Sequence, residues 1–248
     1  MYQFFVDSNQ ISDTSVTIVG PDVNHIKNVL RMKIGEELNV SDGISDQEIR
    51  CGIVEFTDDT VECEIRFIKE ADHELPSKVY LFQGLPKADK METIIQKNIE
   101  LGVYEIVPVA MKRCVVKLDD KKASGKISRW QGIAEAAAKQ SKRGVIPEIK
   151  APMSFKEAVK YAKENCDVML LPYELSEGMD ATRDLLGSIK PGQSVAIFIG
   201  PEGGFDPEEV SFAQNEGFEP VTLGKRILRT ETAGMCVMSV LMYLLENT

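Results

Sequence analysis

The sequence predicts an α/β protein in which a small β-rich region precedes a mostly parallel sheet with helices on both faces. Residues 1–70 contain short apolar and β-branched runs separated by turn signals such as Asp42-Gly43, a pattern typical of strands joined by hairpins. Beyond residue 78, strand-like runs alternate with helix-like segments. This alternation indicates βα units, whose strands pair in parallel under a cover of helices.

The β-rich region contains strand-like runs that fit a small barrel. One helix interrupts them, and Pro21-Asp22 marks its start, because proline is favoured in the first turn of a helix. The last two runs flank residues 57–60, which predicts a hairpin. The predicted strands cover residues 4–6, 16–19, 37–40, 49–56 and 61–68.

The second region begins after a polar, proline-containing stretch at 71–77, which we interpret as a linker. The domains are therefore predicted at 1–71 and 72–248. Asp206-Pro207 is a strong helix start, since aspartate caps a helix and proline suits its first position. Strands are predicted at 79–83, 105–109, 168–171, 195–199 and 220–223, and helices at 90–101, 124–141, 155–164, 180–186, 207–216 and 232–245.

Composition narrows the class of protein. With 43% hydrophobic and 27% charged residues, the chain has an ordinary globular composition. No apolar run approaches the roughly 18–20 residues of a membrane span. The five cysteines are scattered without a CxxC pair, and there are two histidines, which argues against a disulfide framework and a metal cluster. We expect a reduced, cytoplasmic protein without a metal.

Charge is distributed unevenly along the chain. The formal net charge is −10, yet residues 112–143 hold ten basic and three acidic residues. Such a segment is either a solvated helix surface or a surface for an anionic partner such as RNA. The segment by itself leaves both interpretations open.

A glycine-rich turn is the sharpest local feature. The apolar run 195–199 leads into Gly200-Pro201-Glu202-Gly203-Gly204 and then into the helix that begins at Asp206-Pro207. Such turns at the carboxyl edge of a parallel sheet bind ligands, because glycine lets the backbone approach closely. Glu202 would repel a pyrophosphate but suits a neutral or cationic ligand. A tight connection without any ligand is the alternative.

Two further stretches join strands to helices. One is "LGKRILRTETA" at 223–233, where cations crowd against an apolar C-terminal helix, and the other is "LPKADKME" at 85–92. In the first stretch Arg229 and Glu231 could simply neutralise the start of the helix. The three stretches in this order and spacing resemble the RsmE family of the SPOUT methyltransferase superfamily.

The resemblance extends over nearly the whole chain. "EAAAKQSKRGVIPEI" at 135–149 is similar to the central helix and following strand of that family, and "HIKNVLRMKIGEELNVSDG" at 25–43 is similar to its RNA-binding barrel. Gln3 stands where family members usually carry an arginine, which puts any RNA contact of that arginine in doubt for this chain.

The resemblance implies a PUA-like barrel followed by a SPOUT domain with a C-terminal trefoil knot, which general connection rules would have rejected. It also implies a homodimer formed through the knot region, consistent with the apolar stretch 235–245, and S-adenosylmethionine bound in the knot. The implied cofactor-binding residues are Leu171, Pro172, Tyr173, Glu174, Gly200, Pro201, Glu202, Gly203, Gly204, Leu223, Gly224, Ile227, Leu228, Arg229, Thr232 and Ala233.

The family reaction is methylation of N3 of a uridine in small-subunit ribosomal RNA. Arg229 and Glu231 are the candidate catalytic residues. Arg229 would stabilise charge developing on the carbonyl oxygens. Glu231 and Glu202 are the carboxylates in the loops of the site, and the identity of the proton acceptor stays open between them. RNA-binding candidates are Arg31, Lys87, Lys122, Lys126, Arg129, Lys142, Arg143 and Arg226.

Two other classes of function share part of this pattern. A non-enzymatic ribosome-assembly factor would share the barrel and the basic segment, but would have no reason to keep both loop motifs. A nicotinamide-dependent oxidoreductase would carry GxGxxG after the first strand of its domain, where this chain has Gly84-Leu85-Pro86-Lys87.

Overall fold

The structure, a computed structural model, describes residues 1–116, 120–174 and 178–246, with the backbone alone for 120–122. These residues form two compact units, the first from 1–74 with 138–146 and the second from the described residues of 75–137 and 147–246. The sequence predicted a boundary between residues 71 and 72. It gave no indication that 138–146 joins the first unit, because membership of a unit depends on long-range contacts.

The first unit is built on a five-stranded sheet with the order β1-β3-β4-β5-β2. β1 pairs in parallel with β3, and the other pairings are antiparallel. The predicted strands and the hairpin at 57–60 are confirmed. The strands are β1 (Gln3–Phe5), β2 (Ser15–Val19), β3 (Glu37–Ser41), β4 (Gln47–Phe56) and β5 (Thr60–Glu70).

The predicted helix of the first unit is α-helical only over its first turn. It consists of one α-helical turn, α1 (Pro21–Asn24), which continues as a π-helical turn over His25–Val29. Ile26 on this turn is fully buried in the core of the unit. Of the apolar residues predicted to form its buried face, Val23 and Ile26 are buried, whereas Val29 is 64% exposed. The π-helical turn is wound more loosely than an α-helix, which changes the direction of its side chains.

The second unit contains a seven-stranded sheet in which every pairing is parallel, with the order β12-β10-β11-β6-β7-β8 and β9 also on β7. The five predicted strands are confirmed. β8 and β9 were missed because two residues are too few to show a periodicity. The strands are β6 (Val79–Gly84), β7 (Glu105–Ala110), β8 (Glu148–Ile149), β9 (Met153–Ser154), β10 (Val168–Pro172), β11 (Val195–Ile199) and β12 (Glu219–Val221).

All six predicted helices of this region are present. The cap predicted for the sixth helix is confirmed, since the Asp206 carboxylate accepts from the backbone N–H of Glu208 at 3.1 Å. The helices are α2 (Lys90–Glu100), α3 (Asp120–Ser141), α4 (Phe155–Asn165), α5 (Met179–Ser188), α6 (Pro207–Asn215) and α7 (Thr230–Glu246).

Helices cover both faces of the parallel sheet, as predicted. On one face the rings of Phe82 and Phe198 stack at 4.3 Å between centroids and pack with Phe155 of α4 and Val210 of α6. On the other face α7 lies against β6 and β11 and packs on α2. Because neighbouring residues of a strand point to opposite faces, the central strands are covered on both sides: β6 and β11 are fully buried, and β11 is apolar throughout.

The carboxyl ends of four adjacent strands meet at one edge of this sheet. β6, β11, β10 and β12 lie side by side and run in the same direction. The loops that follow them therefore converge, as in other parallel sheets with ligand sites. The predicted trefoil knot concerns the path of the chain through these loops and stays a prediction.

Candidate functional site

A cavity of about 400 Å³ opens where these loops converge. Its volume lies in the range of small-molecule sites, about 300–1,000 Å³. Its walls come from the ends of β10 and β11, the segment between β12 and α7, and the first residues of α2 and α7. The lining residues are Lys90, Pro172, Tyr173, Glu174, Ile199, Gly200, Pro201, Glu202, Gly204, Phe205, Thr222, Leu223, Gly224, Lys225, Arg226, Ile227, Leu228, Arg229, Thr230 and Ala233.

Three of the residues assigned to the cofactor do not line this cavity. Leu171 lies inside β10 with no exposed surface and belongs to the core. Gly203 faces Arg113, whose Cβ would lie 3.2 Å from a Cβ at position 203. Thr232 is exposed on the first turn of α7. Resemblance over a contiguous motif could not separate these residues from their neighbours.

The structure adds cavity residues that the sequence assignment omitted. Lys90 was part of the "LPKADKME" stretch, yet nothing in its spacing indicated that it would reach a loop more than a hundred residues away. The others are Ile199, Phe205, Thr222, Lys225 and Thr230. These positions adjoin the assigned residues, and the order of the strands brings them together.

The glycine-rich loop is tight at two points. A Cβ on Gly200 would lie 3.1 Å from the carbonyl carbon of Gly204, and Gly204 itself has a φ of +67°. A Cβ on Gly84, at the end of β6, would lie 2.7 Å from the backbone nitrogen of Pro201. Glycine is thus required because backbone segments touch each other, and because non-glycine residues rarely adopt positive φ.

A buried hydrogen-bond chain connects β6, the glycine-rich loop and α7. The side-chain amide of Gln83 donates to the hydroxyl oxygen of Thr230 at 2.9 Å, and that hydroxyl donates to the carbonyl oxygen of Gly200 at 2.6 Å. Gln83 has no exposed surface. The chain therefore fixes the start of α7 against the loop that forms the cavity wall.

Lys90 and two carboxylates form an ionic cluster beside the cavity. Lys90 Nζ lies 3.1 Å from Glu202 Oε1 and 3.4 Å from Glu231 Oε2. The backbone N–H of Lys87 also donates to Glu202 Oε1, at 3.0 Å. These contacts join all three stretches that carry the family resemblance.

The ionisation of this cluster follows from its contacts. Partial burial opposes the charged form of Glu202, but its own N–H, the N–H of Lys87 and the Lys90 ammonium outweigh this and lower its pKa. The pKa of Lys90 is raised, chiefly by its hydrogen bond to Glu202. At neutral pH the lysine is therefore an ammonium group and Glu202 a carboxylate.

The two candidate catalytic residues occupy different positions. Arg229 is exposed and lines the cavity. Within the part of the chain that the structure describes, no carboxylate forms an ion pair with it. Glu231 is not among the lining residues, and its Oε2 is buried without a hydrogen bond, beside Lys90. Its neighbour Lys90, and not Glu231, faces the cavity.

The predicted RNA-binding residues are divided by their exposure. Arg129 is exposed but paired with Glu92 at 2.8 Å. Arg143 is only 3% exposed, and its guanidinium is held by Glu74. Its assignment to RNA is therefore not kept, because a buried and paired cation cannot reach a phosphate. The side chain of Lys122 lies outside the described residues, and the exposed candidates are Arg31, Lys87, Lys126, Lys142 and Arg226.

Other chemistry is limited by the residues present. Among the described side chains, no group of three or more His, Cys, Asp or Glu is arranged to hold a metal ion. All five cysteines are free. None of the helices in the described ranges is long and apolar enough to cross a membrane. The cavity wall carries both signs of charge, with the carboxylates Glu174 and Glu202 beside the cations Lys90, Lys225, Arg226 and Arg229.

The fold and the cavity define an RNA methyltransferase that carries a PUA domain. Residues 73–242 match the family model for the RNA methyltransferase domain, and residues 19–66 match that for the RNA methyltransferase PUA domain. The chain belongs to the family of ribosomal RNA small subunit methyltransferase E. It is 37% identical to the Bacillus subtilis protein of that name over 254 residues, which cover 99% of this chain and 98% of the relative.

Solved structures agree with this family. Ribosomal RNA small subunit methyltransferase E from Neisseria gonorrhoeae, solved with S-adenosylmethionine, is 32% identical, covers 98% of both chains and superimposes with a TM-score of 0.83. A Legionella pneumophila protein described as a methyltransferase with bound S-adenosylmethionine is 33% identical, covers 96% of both chains and has a TM-score of 0.84.

Proposed function

We propose that this chain methylates N3 of a uridine in small-subunit ribosomal RNA, with S-adenosylmethionine as the methyl donor. One observation carries the proposal. The three sequence stretches that resemble the family, which are far apart in the chain, meet at a single cavity through the contacts of Lys90 and Thr230. A binding factor without catalytic activity would have no need for such a convergence.

The residues of the cavity fit S-adenosylmethionine. Gly204 and Gly224 line the cavity and both have positive φ. A Cβ on Gly224 would meet nothing within 4 Å, so the backbone at this residue borders open space. Glu174 offers a carboxylate to a positively charged ligand, and Tyr173 and Leu228 offer apolar surface for a purine ring. When bound, the cofactor supplies a methyl group that its sulfonium already activates.

The task of the protein is to prepare the attacking nitrogen. Uracil N3 carries a proton at neutral pH, so that proton must leave, and the charge that remains spreads over the two adjacent carbonyl oxygens. We assign the stabilisation of that charge to Arg229, and its exposure on the cavity wall supports this role. Glu231 stays our candidate for the proton acceptor, although reaching the base requires its side chain to turn away from Lys90.

The target base must leave its stack to reach the cavity, because a methyl group cannot be delivered into a stacked helix. Exposed cations on the wall of the cavity, Lys225 and Arg226, suit the phosphates on either side of the extruded nucleotide. Lys126 on α3 is a further exposed cation of the second unit, and Arg31 and Lys142 are exposed cations of the first unit, each available to RNA. Such contacts would supply affinity with little dependence on sequence.

A homodimer is part of the proposal. Val240 is 39% exposed and Tyr243 is 69% exposed on α7, and the half-buried Cys236 and Leu244 lie on the same side of the helix. An apolar strip of this kind is suited to the same strip of a second copy related by a two-fold axis. The family resemblance likewise implies that the knot region forms the contact between the two copies.

The experiment is a methyl-transfer assay on small ribosomal subunits that lack the modification, with labelled S-adenosylmethionine. We expect label in the ribosomal RNA at one uridine, and mass spectrometry of nucleosides should identify 3-methyluridine. Label in protein, or on a different atom of the base, would contradict the proposal. Subunits that already carry the modification are the control and should accept no label.

A further inference from the structure

The ammonium group of Lys90 is held at the cavity by protein carboxylates. Lys90 is the first residue of α2, and its Nζ contacts Glu202 at 3.1 Å and Glu231 at 3.4 Å. Its side chain is 31% exposed and lines the cavity. Because an ammonium group has three N–H donors and only two carboxylates contact it, at least one donor is left to face a ligand.

The geometry of Lys90 is fixed by its neighbours. Glu202, its closer partner, is itself anchored by the N–H of Lys87 at 3.0 Å. The other charged groups around the cavity are Glu174, Lys225, Arg226 and Arg229. The ammonium group is therefore a preorganised donor, which costs little reorganisation when negative charge develops beside it.

We propose that Lys90 is a catalytic residue whose ammonium group donates a hydrogen bond to one carbonyl oxygen of the target uracil. The inference rests on the proposed function and deepens it. Uracil N3 lies between two carbonyl groups, so the charge left by its proton falls on two oxygens. Arg229 serves one oxygen and Lys90 the other, whereas a carboxylate facing either oxygen would repel it.

The reaction balances without any change at Lys90. The N3–H bond breaks, its electron pair stays on the ring, and the proton passes to Glu231 or to water. The N3–C bond forms as the bond from the methyl carbon to sulfur breaks, and sulfur keeps that electron pair. Lys90 remains an ammonium group throughout, because its role is to stabilise the uracil anion.

The test uses Lys90→Met and, as a matched control, Lys97→Met. Lys97 lies on the same helix and is paired with Glu100 at 2.8 Å, so its replacement removes the same charge and an ion pair at a distance from the cavity. We expect Lys90→Met to slow single-turnover methyl transfer by about 10²–10³-fold, as for loss of other oxyanion donors. The rate of Lys97→Met should stay near that of the wild type.

A more acidic substrate separates this role from a merely structural one. Small subunits reconstituted with 5-fluorouridine RNA present an N3–H that ionises more readily, because fluorine withdraws electrons from the ring. The deficit of Lys90→Met should shrink on this substrate and at high pH. The affinity for S-adenosylmethionine, measured by calorimetry, should change less than about threefold, a difference of roughly 0.7 kcal/mol.

Three results would overturn the inference: an unchanged rate, an equal deficit on uridine and 5-fluorouridine, or a collapse of cofactor affinity, which would assign Lys90 to the cofactor. If Lys90→Met does not fold, Lys90→Gln keeps N–H donors for the carboxylates without the charge, and the same outcomes apply to it. Absence of 3-methyluridine with the wild-type protein would instead contradict the proposed function.

Discussion

The side-chain amide of Gln3 donates a hydrogen bond to the backbone carbonyl oxygen of Arg143, with 2.6 Å between nitrogen and oxygen. Gln3 is only 8% exposed. The family resemblance led us to expect an arginine at this position, and the sequence left open what glutamine would do. In this chain the residue joins β1 to the segment 138–146 of the same compact unit. Its contact is thus internal to the protein.

We expect Arg143 to contribute to the stability of the folded protein and not to RNA binding. Replacing Arg143 with methionine leaves the carboxylate of Glu74 without its cation. Breaking a largely buried pair costs about 3–5 kcal/mol, and we expect the lower end because the Glu74 side chain is 19% exposed. Chemical denaturation would measure this loss.

The matched variant for RNA is Arg226→Glu, since Arg226 is exposed on the cavity wall. It should leave the free energy of unfolding unchanged while it reduces the salt dependence of RNA binding by about one phosphate contact or more. If the Arg143→Met protein had normal stability and a reduced salt dependence of RNA binding, Arg143 would belong to the RNA-binding residues.

The hydroxyl of Thr230 is expected to hold the cavity together. Thr230→Val has nearly the same shape but leaves the carbonyl oxygen of Gly200 and the amide of Gln83 without their partner. Unsatisfied buried groups cost about 1–3 kcal/mol each. We expect a lower melting temperature and weaker binding of S-adenosylmethionine, measured by calorimetry.

The Thr230 interpretation has two controls. Thr230→Ser keeps the hydroxyl and should restore most of the affinity. Ser239→Ala removes an exposed hydroxyl that bonds within α7 and should change little. Equal cofactor affinity in the valine and serine variants would show that the hydrogen bond does not shape the cavity.

We expect cofactor binding to be sensitive to substitution of Gly200 in the glycine-rich loop. In Gly200→Ala the new methyl group would lie 3.1 Å from the carbonyl carbon and 3.3 Å from the Cα of Gly204, so the backbone of the loop must move. We expect cofactor affinity to fall by tenfold or more, about 1.4 kcal/mol. Gly187→Ala on α5 meets nothing within 4 Å and should be neutral or stabilising. Wild-type affinity in Gly200→Ala would show that the loop tolerates the shift.

The cluster around Glu202 predicts a pH dependence of stability. The pKa of Glu202 is lowered in the folded protein, since the N–H groups and Lys90 outweigh burial. A lowered pKa contributes stability that is complete above the ordinary value near 4.5 and is lost as pH falls through the folded value. Glu202→Gln should therefore be less stable than the wild type at pH 7, and the difference should narrow at acid pH. A difference that stays constant from pH 7 to pH 3 would contradict the ionic role of Glu202.

The dimer proposal is tested on the exposed side of α7. Leu241 is fully buried within the chain, whereas Val240 is 39% exposed, so only Val240 can report on a contact between copies. We expect Val240→Asp to dissociate the dimer in sedimentation while the melting temperature of the protomer stays within a few degrees. A stable dimer of the variant would place the interface elsewhere. Lys160→Asp on α4 is the matched exposed control.

Local patterns predicted most elements because their causes are local. The capped start of α6 at Asp206, the glycines that end α2 and α6, and the apolar runs of β6 and β11 each depend on residues within a turn or a strand. The shortest strands, β8 and β9, were missed for the same reason. A two-residue strand owes its conformation to its neighbours in the sheet.

The sequence by itself determined the α/β class, the positions of the strands and helices, and, through three motifs, the family and the loops of the site. Only the tertiary structure decided which residues of those motifs face the cavity. It placed Gly203 against Arg113, buried Arg143 beside Glu74, and brought Lys90 to Glu202. The physical reason is that the direction of a side chain in a loop depends on packing with segments distant in sequence, and no local pattern encodes that packing.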